Sequence, residues 1–352
     1  MSEQAVFPLV IYDELRLSEL TRKRAGETRL GEMVKTIPWN RRDSWEEALA
    51  DMPGRYVLLG LPEDIGVRAN YGRGGAYSAW IPAISTILNT QSNPSLHGEE
   101  IIVLGHIDFS AAMEELKLLD PTAAGTLAHS RELTARIDQA VFPVMEKIIG
   151  AGKEAIVIGG GHNNAYGNLR GLSAAMKLQD IACINCDAHS DLRPLEGRHS
   201  GNGFSYALHE GYLQKYAMVA LHEMFNMDSV FEKIEGDDRL DASWFEEIFI
   251  REEITFREAV DRAIDFTAGL PVGLEIDLDA IQNIPSSAKT SSGISTLHAR
   301  QLVHRVAISS DVRYLHLAEA APVLSHIKTD LKTGKLIAYL VADYIKARNQ
   351  RK

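Results

Sequence analysis

Seven short apolar runs punctuate the chain: "YVLLG" (56–60), "IIVLG" (101–105), "AIVIGG" (155–160), "IACINC" (181–186), "YAMVAL" (216–221), "PVGLEI" (271–276) and "YLHLAEA" (314–320). Most are continuous rather than alternating. A strand with one wet face alternates, because successive side chains point to opposite sides, so a continuous run belongs to a strand covered on both faces. Between the runs lie segments with apolar residues at helical spacing. "SRELTARIDQAVFPVMEKIIGAG" opens with Ser130 as a cap and closes at glycine. Thr255, with Glu258 three residues on, makes a capping-box pattern. "GKLIAYLVADYIKARN" forms a last amphipathic helix. Strands alternating with helices predict an α/β three-layer sandwich around a mostly parallel sheet.

No repeat, low-complexity tract or Pro/Ser-rich linker interrupts this pattern, and the 352 residues read as one domain, 1–352. Residues 1–50 are richer in charge and lack a clear strand signal, which predicts an N-terminal helical extension. Glu3, Arg16 and Trp39 within it are placed to cover a neighbouring subunit or cap the sheet. The segment 222–253 is acidic and irregular, and reads as the longest excursion from the core. Lys and Arg number 37 against 48 Asp and Glu, a formal charge of −11. That balance, without a basic run, argues against nucleic acid or an anionic membrane as partner. No apolar stretch reaches the ~20 residues that span a bilayer. No basic-then-apolar leader is visible either, so a cytoplasmic location is expected. Cys183 and Cys186 are spaced for opposite faces of a strand, which predicts two buried, inert thiols.

Three of the runs end in residues suited to hold metal. "AIVIGG" leads to His162, "IACINC" to Asp187, His189 and Asp191, and "PVGLEI" to Asp277 and Asp279. Ligands of open α/β sheets bind outside the carboxyl ends of strands, and a spacing of two projects side chains to one face. Four carboxylates held within a few ångströms repel unless cations balance them. One divalent ion leaves an excess of negative charge, whereas two come close to neutrality. Carboxylate-rich, thiolate-free donors favour hard ions, and two imidazoles tilt the choice toward Mn²⁺, with Zn²⁺ and Fe²⁺ left open. A single-zinc site would leave His162 and Asp279 without a metal. The glycines of "GGGHNNAYG" do not fit a dinucleotide-binding loop.

The motifs "GGGHNNAYG", "DAHSD" and "EIDLDAI", in that order after strands, resemble those of the ureohydrolases, the superfamily of arginase, agmatinase and formimidoylglutamase. The resemblance runs from about "LGLPEDIGVRANYGRGGA" (59–76) to the final helix. It implies an arginase-like fold with an eight-stranded sheet and two Mn²⁺ per chain, and a homotrimer or homohexamer. One ion would be held by His162, Asp187, Asp191 and Asp277. The other would be held by His189 and Asp279, sharing Asp187 and Asp277 with the first. The implied chemistry is hydrolysis of a planar amidine or guanidine carbon. Asp191 would carry a proton to the leaving amine, and Glu319 of "LAEAAPVL" would pair with the substrate's cationic nitrogens.

Within that superfamily, "DAHSDLRP" is closest to the formimidoylglutamase version because Arg193 stands two places after the second Asp. In "RHSGNGFSY", Ser200 takes the slot where arginases carry histidine, and His199 sits one residue earlier as a displaced shuttle. Ser200 and Asn202 are placed to contact substrate. "DIGVRANYGRGGA" brings Arg68 and Arg73 toward the mouth of the site. A substrate with two carboxylates calls for arginines, which pair with carboxylates in a bidentate fork, and Arg68 and Arg193 are the expected pair. The reading is therefore conversion of N-formimidoyl-L-glutamate and water to L-glutamate and formamide, a reaction of histidine degradation. Alternatives are a guanidino-compound hydrolase releasing urea and a non-catalytic metal-binding member of the fold.

Overall fold

The computed structural model describes residues 7–120, 123, 125–325 and 331–351, so Glu3 lies outside the described residues. Its strands are β1 (Leu9–Ile11), β2 (Tyr56–Gly60), β3 (Ile101–Ile107), β4 (Glu154–Ile158), β5 (Ile181–Cys186), β6 (Leu213–Leu221), β7 (Leu240–Trp244), β8 (Pro271–Asp277) and β9 (Asp311–Ala318). They form one nine-stranded sheet in the order β1-β3-β2-β4-β9-β8-β5-β6-β7. Every pairing is parallel except that of β1 with β3.

Alternate residues of one strand enter opposite cores, which makes three layers. In β2, Tyr56 and Leu58 join one apolar cluster while Val57 and Leu59 join the other, and β4 divides Ile156 and Ile158 from Ala155 and Val157 in the same way. Helices Trp80–Leu88, Phe256–Phe266, Thr296–Ser309 and Leu331–Gln350 cover the first face. Helices Thr126–Gly150, Asn164–Met176 and Gly203–His209 cover the second. Cys186 and Cys183 fall on opposite faces, free and buried, and burial pushes both thiols up.

Nine strands stand where eight were expected, and the two that lacked a continuous apolar run are the edges. An edge strand has only one neighbour and tolerates polar residues. β7 therefore carries Asp241 and Ser243, and with the helices Asp228–Gly236 and Phe245–Phe249 it gives regular structure to a segment expected to be irregular. β1 is only three residues long and lies antiparallel to Gly105–Ile107. Its approach demands glycine there: Gly105 has φ +129°, and a Cβ on it would sit 1.9 Å from the Val10 carbonyl oxygen.

The rest of the extension packs against a helix that flanks the sheet. The side chain of Asn89 donates to Leu20 O and accepts from Arg22 N, tying the helix Glu14–Leu20 to the helix Trp80–Leu88. Arg16 pairs with Glu19, and Trp39 lies exposed under the guanidinium of Arg42. The helix expected to start at Ser130 begins earlier, at Thr126, and Ser130 acts inside it, donating to Thr126 O. The capping box at Thr255 forms: its hydroxyl accepts from Glu258 N, and Glu258 accepts from Thr255 N at 2.8 Å. No helix among the described residues is long and apolar enough to cross a membrane.

Candidate metal centre and active site

Four strands adjacent in the middle of the sheet carry the site. Their register aligns Ile158, Leu317, Ile276 and Cys186 in one row across β4, β9, β8 and β5. β4 and β5 end at that row and β8 and β9 one residue beyond it, so Asp187 and Asp277 emerge side by side on neighbouring strands. Each then folds its own turn. Asp187 Oδ1 accepts from His189 N, and Asp277 Oδ1 accepts from Asp279 N, both at 2.7 Å. A carboxylate that hydrogen-bonds the backbone two residues on makes a tight turn. The first aspartate of each pair thus swings the residue two places on toward the same centre.

The six expected ligands converge. Nδ1 of His162 lies 3.1 Å from Asp187 Oδ2, 3.1 Å from Asp191 Oδ2 and 3.3 Å from Asp277 Oδ2. Nδ1 of His189 lies 3.4 Å from Asp187 Oδ1 and 3.5 Å from Asp279 Oδ2. One imidazole nitrogen carries at most one proton and cannot satisfy three carboxylates at once. Among the described residues, two groups have donors close enough to hold a metal: His162, Asp187 and Asp277, and then Asp187, His189 and Asp279, within 4.8 Å in each. They share Asp187. Buried Asp279 Oδ1 has no hydrogen-bond partner, as a ligand atom directed at a cation would not.

Without cations the cage carries strain in its proton affinities. Burial, with the charges of Asp279 and Asp187, pushes Asp277 well above the carboxylate range. Burial lifts Asp279 to about 6, Asp187 adding to it against the pull of His189. Glu319 rises to about 8 through burial and the charge of Asp279. Burial disfavours charge on His189, yet Asp279 and Asp187 outweigh it and raise the ring to about 11. Asp191 and Glu319 both sit at left-handed φ, 51° and 64°, a conformation that costs a non-glycine residue about 1–3 kcal/mol and clusters at functional sites.

The glycine turn before His162 is built around a carboxylate. Glu63, fully buried, accepts from Gly161 N and Asn164 Nδ2 at 2.9 and 2.7 Å. Glu319 Oε1 accepts from His162 N at 2.9 Å, joining β9 to that turn. The cavity above the cage holds about 220 Å³ and is walled by Asn70, Arg193, Ser200, Phe225, Asn226 and Glu319 among others. Phe225 stacks on the His189 ring at 5.4 Å, and Asn226 accepts from Ser190 N.

The expected substrate contacts divide. Arg193 lines the cavity, and its guanidinium has no hydrogen bond or ion pair among the described residues. Ser200 lines it too and accepts from Asn70 Nδ2. Arg68 does not reach it, because its guanidinium forms a fork with Asp64 one helical turn away, at 2.8 and 3.2 Å. Arg73 is tied to Ser287 O. Asn202 faces into its own loop, accepting from His199 N and donating to Gly197 O. His199 is wholly buried in that loop. Its Nδ1 accepts from Gly201 N, its Nε2 meets Glu196 Oε1 at 3.2 Å, and burial with the charge of Arg131 lowers it to about 4. Both residues are held by the loop's own backbone, so neither points at the cavity.

Glu275 escaped the sequence reading, and His316, which lacks chelating spacing in the sequence and reads there as a packing or surface residue, is fully buried beside it. Glu275 stands two residues before Asp277, on the same face of β8, and is fully buried beside His162 and His316. Its signal was visible as an acid inside an otherwise apolar run.

An open, mostly parallel sheet that gathers carboxylates and imidazoles over its central strand ends defines a ureohydrolase-type hydrolase. A family model described as the arginase family matches residues 55–345, and the chain belongs to that family. A formimidoylglutamase of Chromobacterium violaceum is 28% identical over 295 residues, covering 79% of this chain and 85% of that protein. Among solved structures, the fold is similar to a formimidoylglutamase from Bacillus subtilis, with TM-score 0.71 and 15% identity, covering 93% of this chain and 94% of that one. It is also similar to Trypanosoma cruzi formiminoglutamase solved with Mn²⁺, with TM-score 0.68 and 19% identity, covering 93% of this chain and 100% of the other.

Proposed function

We propose that the protein hydrolyses N-formimidoyl-L-glutamate to L-glutamate and formamide with two Mn²⁺ bound. The observation that carries this is the cage itself: two donor groups sharing Asp187 beneath a cavity whose rim holds an unpaired arginine. With Asp191 added to the first group, one ion would be held by His162, Asp187, Asp191 and Asp277. The other would be held by His189 and Asp279 together with Asp187 and Asp277. The similarity to formimidoylglutamases supports the choice of substrate.

When bound, the ions supply Lewis-acid activation of water near neutral pH. The chain's own groups do the rest. Glu319 faces the cavity with one oxygen on His162 N, which leaves the other for the substrate's amidinium nitrogens. Asp191 lies at the edge of the cage and borders the cavity, within reach of an attacking water. It takes the proton released as water attacks the amidine carbon and delivers it to the departing glutamate nitrogen. Arg193 binds a substrate carboxylate at the mouth as a bidentate fork. His199 and Asn202 shape the loop that presents Ser200, and Arg68 holds Asp64 in place.

One observation favours a second reading. Arg193 is the single arginine or lysine among the described residues lining the cavity, whereas the formimidoyl substrate has two carboxylates. A guanidino acid with one carboxylate matches that count and would release urea. Incubating Mn²⁺-loaded protein with formimidoylglutamate, agmatine, arginine and shorter guanidino acids decides between them. Formamide and glutamate in equal amounts are expected, and urea from a guanidino acid with no formamide would overturn the choice.

A further inference from the structure

We propose that Glu275 is a positioning residue of the metal centre, holding the ring of His162 from behind so that Nδ1 faces Asp187, Asp191 and Asp277. This rests on the metal-binding role given to His162 above. Glu275 touches neither the cavity nor solvent, so it has no part in binding substrate. Its Oε2 lies 3.4 Å from His162 Nε2, about 0.3 Å longer than a good N–H···O bond, and that buried nitrogen has no hydrogen-bond partner. The same oxygen is 2.6 Å from His316 Nδ1, and Tyr314 Oη donates to Oε1 at 2.8 Å. The far nitrogen of His316 lies 3.1 Å from Gly159 O.

These contacts close a ring. Gly159 is three residues before His162 in the glycine turn, His316 reaches that turn from β9, and Glu275 joins His316 back to His162 from β8. One carboxylate thereby tethers the backbone carrying the ligand, through His316, and stands directly behind the ligand's ring. A metal-binding histidine characteristically gives its outer N–H to a carboxylate, which selects the tautomer and raises the basicity of the inner nitrogen.

The test is Glu275→Gln, isosteric and still able to accept a hydrogen bond, with Tyr314→Phe as a control that removes another partner of Glu275 without touching His162. Mn²⁺ binding by calorimetry and electron paramagnetic resonance of the bound pair are the readouts. Glu275→Gln is expected to weaken Mn²⁺ binding roughly 10–100-fold and to abolish the spin-coupled signal at stoichiometric metal, while Tyr314→Phe retains both. Wild-type affinity and coupling in Glu275→Gln, or an equal loss in Tyr314→Phe, would overturn the proposal. If the glutamine variant does not fold, His316→Gln breaks the link to Gly159 O and carries the same expectation. A wild-type protein that binds no Mn²⁺ would instead refute the metal centre itself.

Discussion

Asp191 joins three properties that residues far from a reaction do not share. It stands at φ 51°, its oxygen lies 3.1 Å from a histidine nitrogen contacted by two other carboxylates, and it borders the cavity. Asp191→Asn preserves shape while removing the charge and the proton carrier. Hydrolysis is expected to fall about 10²–10⁴-fold, the range for loss of a general acid–base group. The metal-free variant should melt no lower than the wild type, because it loses a buried repulsive charge. Initial rates and a melting curve check both, and activity close to wild type would remove Asp191 from the mechanism. The residues that converge in the cage were legible because they close apolar runs. The arginines were not told apart, although Asp64 four residues before Arg68 is a helical ion-pair spacing that the sequence already contains.

The glycine turn after β4 places His162, carried by one strand, against Glu319, carried by another. Gly160 has φ +77°, its carbonyl accepts from Glu319 N at 3.0 Å, and a Cβ there would lie 2.4 Å from Asn164 Nδ2 and 2.8 Å from Leu61 O. Gly160→Ala is therefore expected to cost about 1–3 kcal/mol in denaturant unfolding, and to lower turnover by displacing Glu319. An unchanged unfolding midpoint would show that the turn is not constrained as described. Elements with continuous apolar runs were visible in the sequence, as was the Thr255 capping box, since both are written in neighbouring residues. β1 and β7 were not, because an edge strand is made by the neighbour it pairs with rather than by its own pattern.

For the molecule as a whole, the cage links metal, protons and stability. Relative to their unfolded values of 3.8, 4.5 and 6.5, Asp279, Glu319 and His189 stand at about 6, about 8 and about 11 in the metal-free fold. Each keeps a proton that the unfolded chain has lost, so the stability they contribute is present at low pH and declines as pH rises through those windows. Between pH 6 and 8 Glu319 and His189 act in the same direction. Mn²⁺ replaces the protons, so the rise in melting temperature on adding Mn²⁺ is expected to be larger at pH 8 than at pH 6. A larger rise at pH 6 in a thermal scan would contradict the arrangement. The sequence by itself determined which strands are buried on both faces, which residues stand at their ends and what charge those residues require, because these follow from composition at fixed spacing. Tertiary structure alone decided that the ends of β4, β9, β8 and β5 are adjacent, that Glu275 lies behind His162, and that Arg193 faces the cavity. The order of strands and the approach of one strand's side chains to another's are set by chain segments far apart in sequence, and no local pattern encodes them.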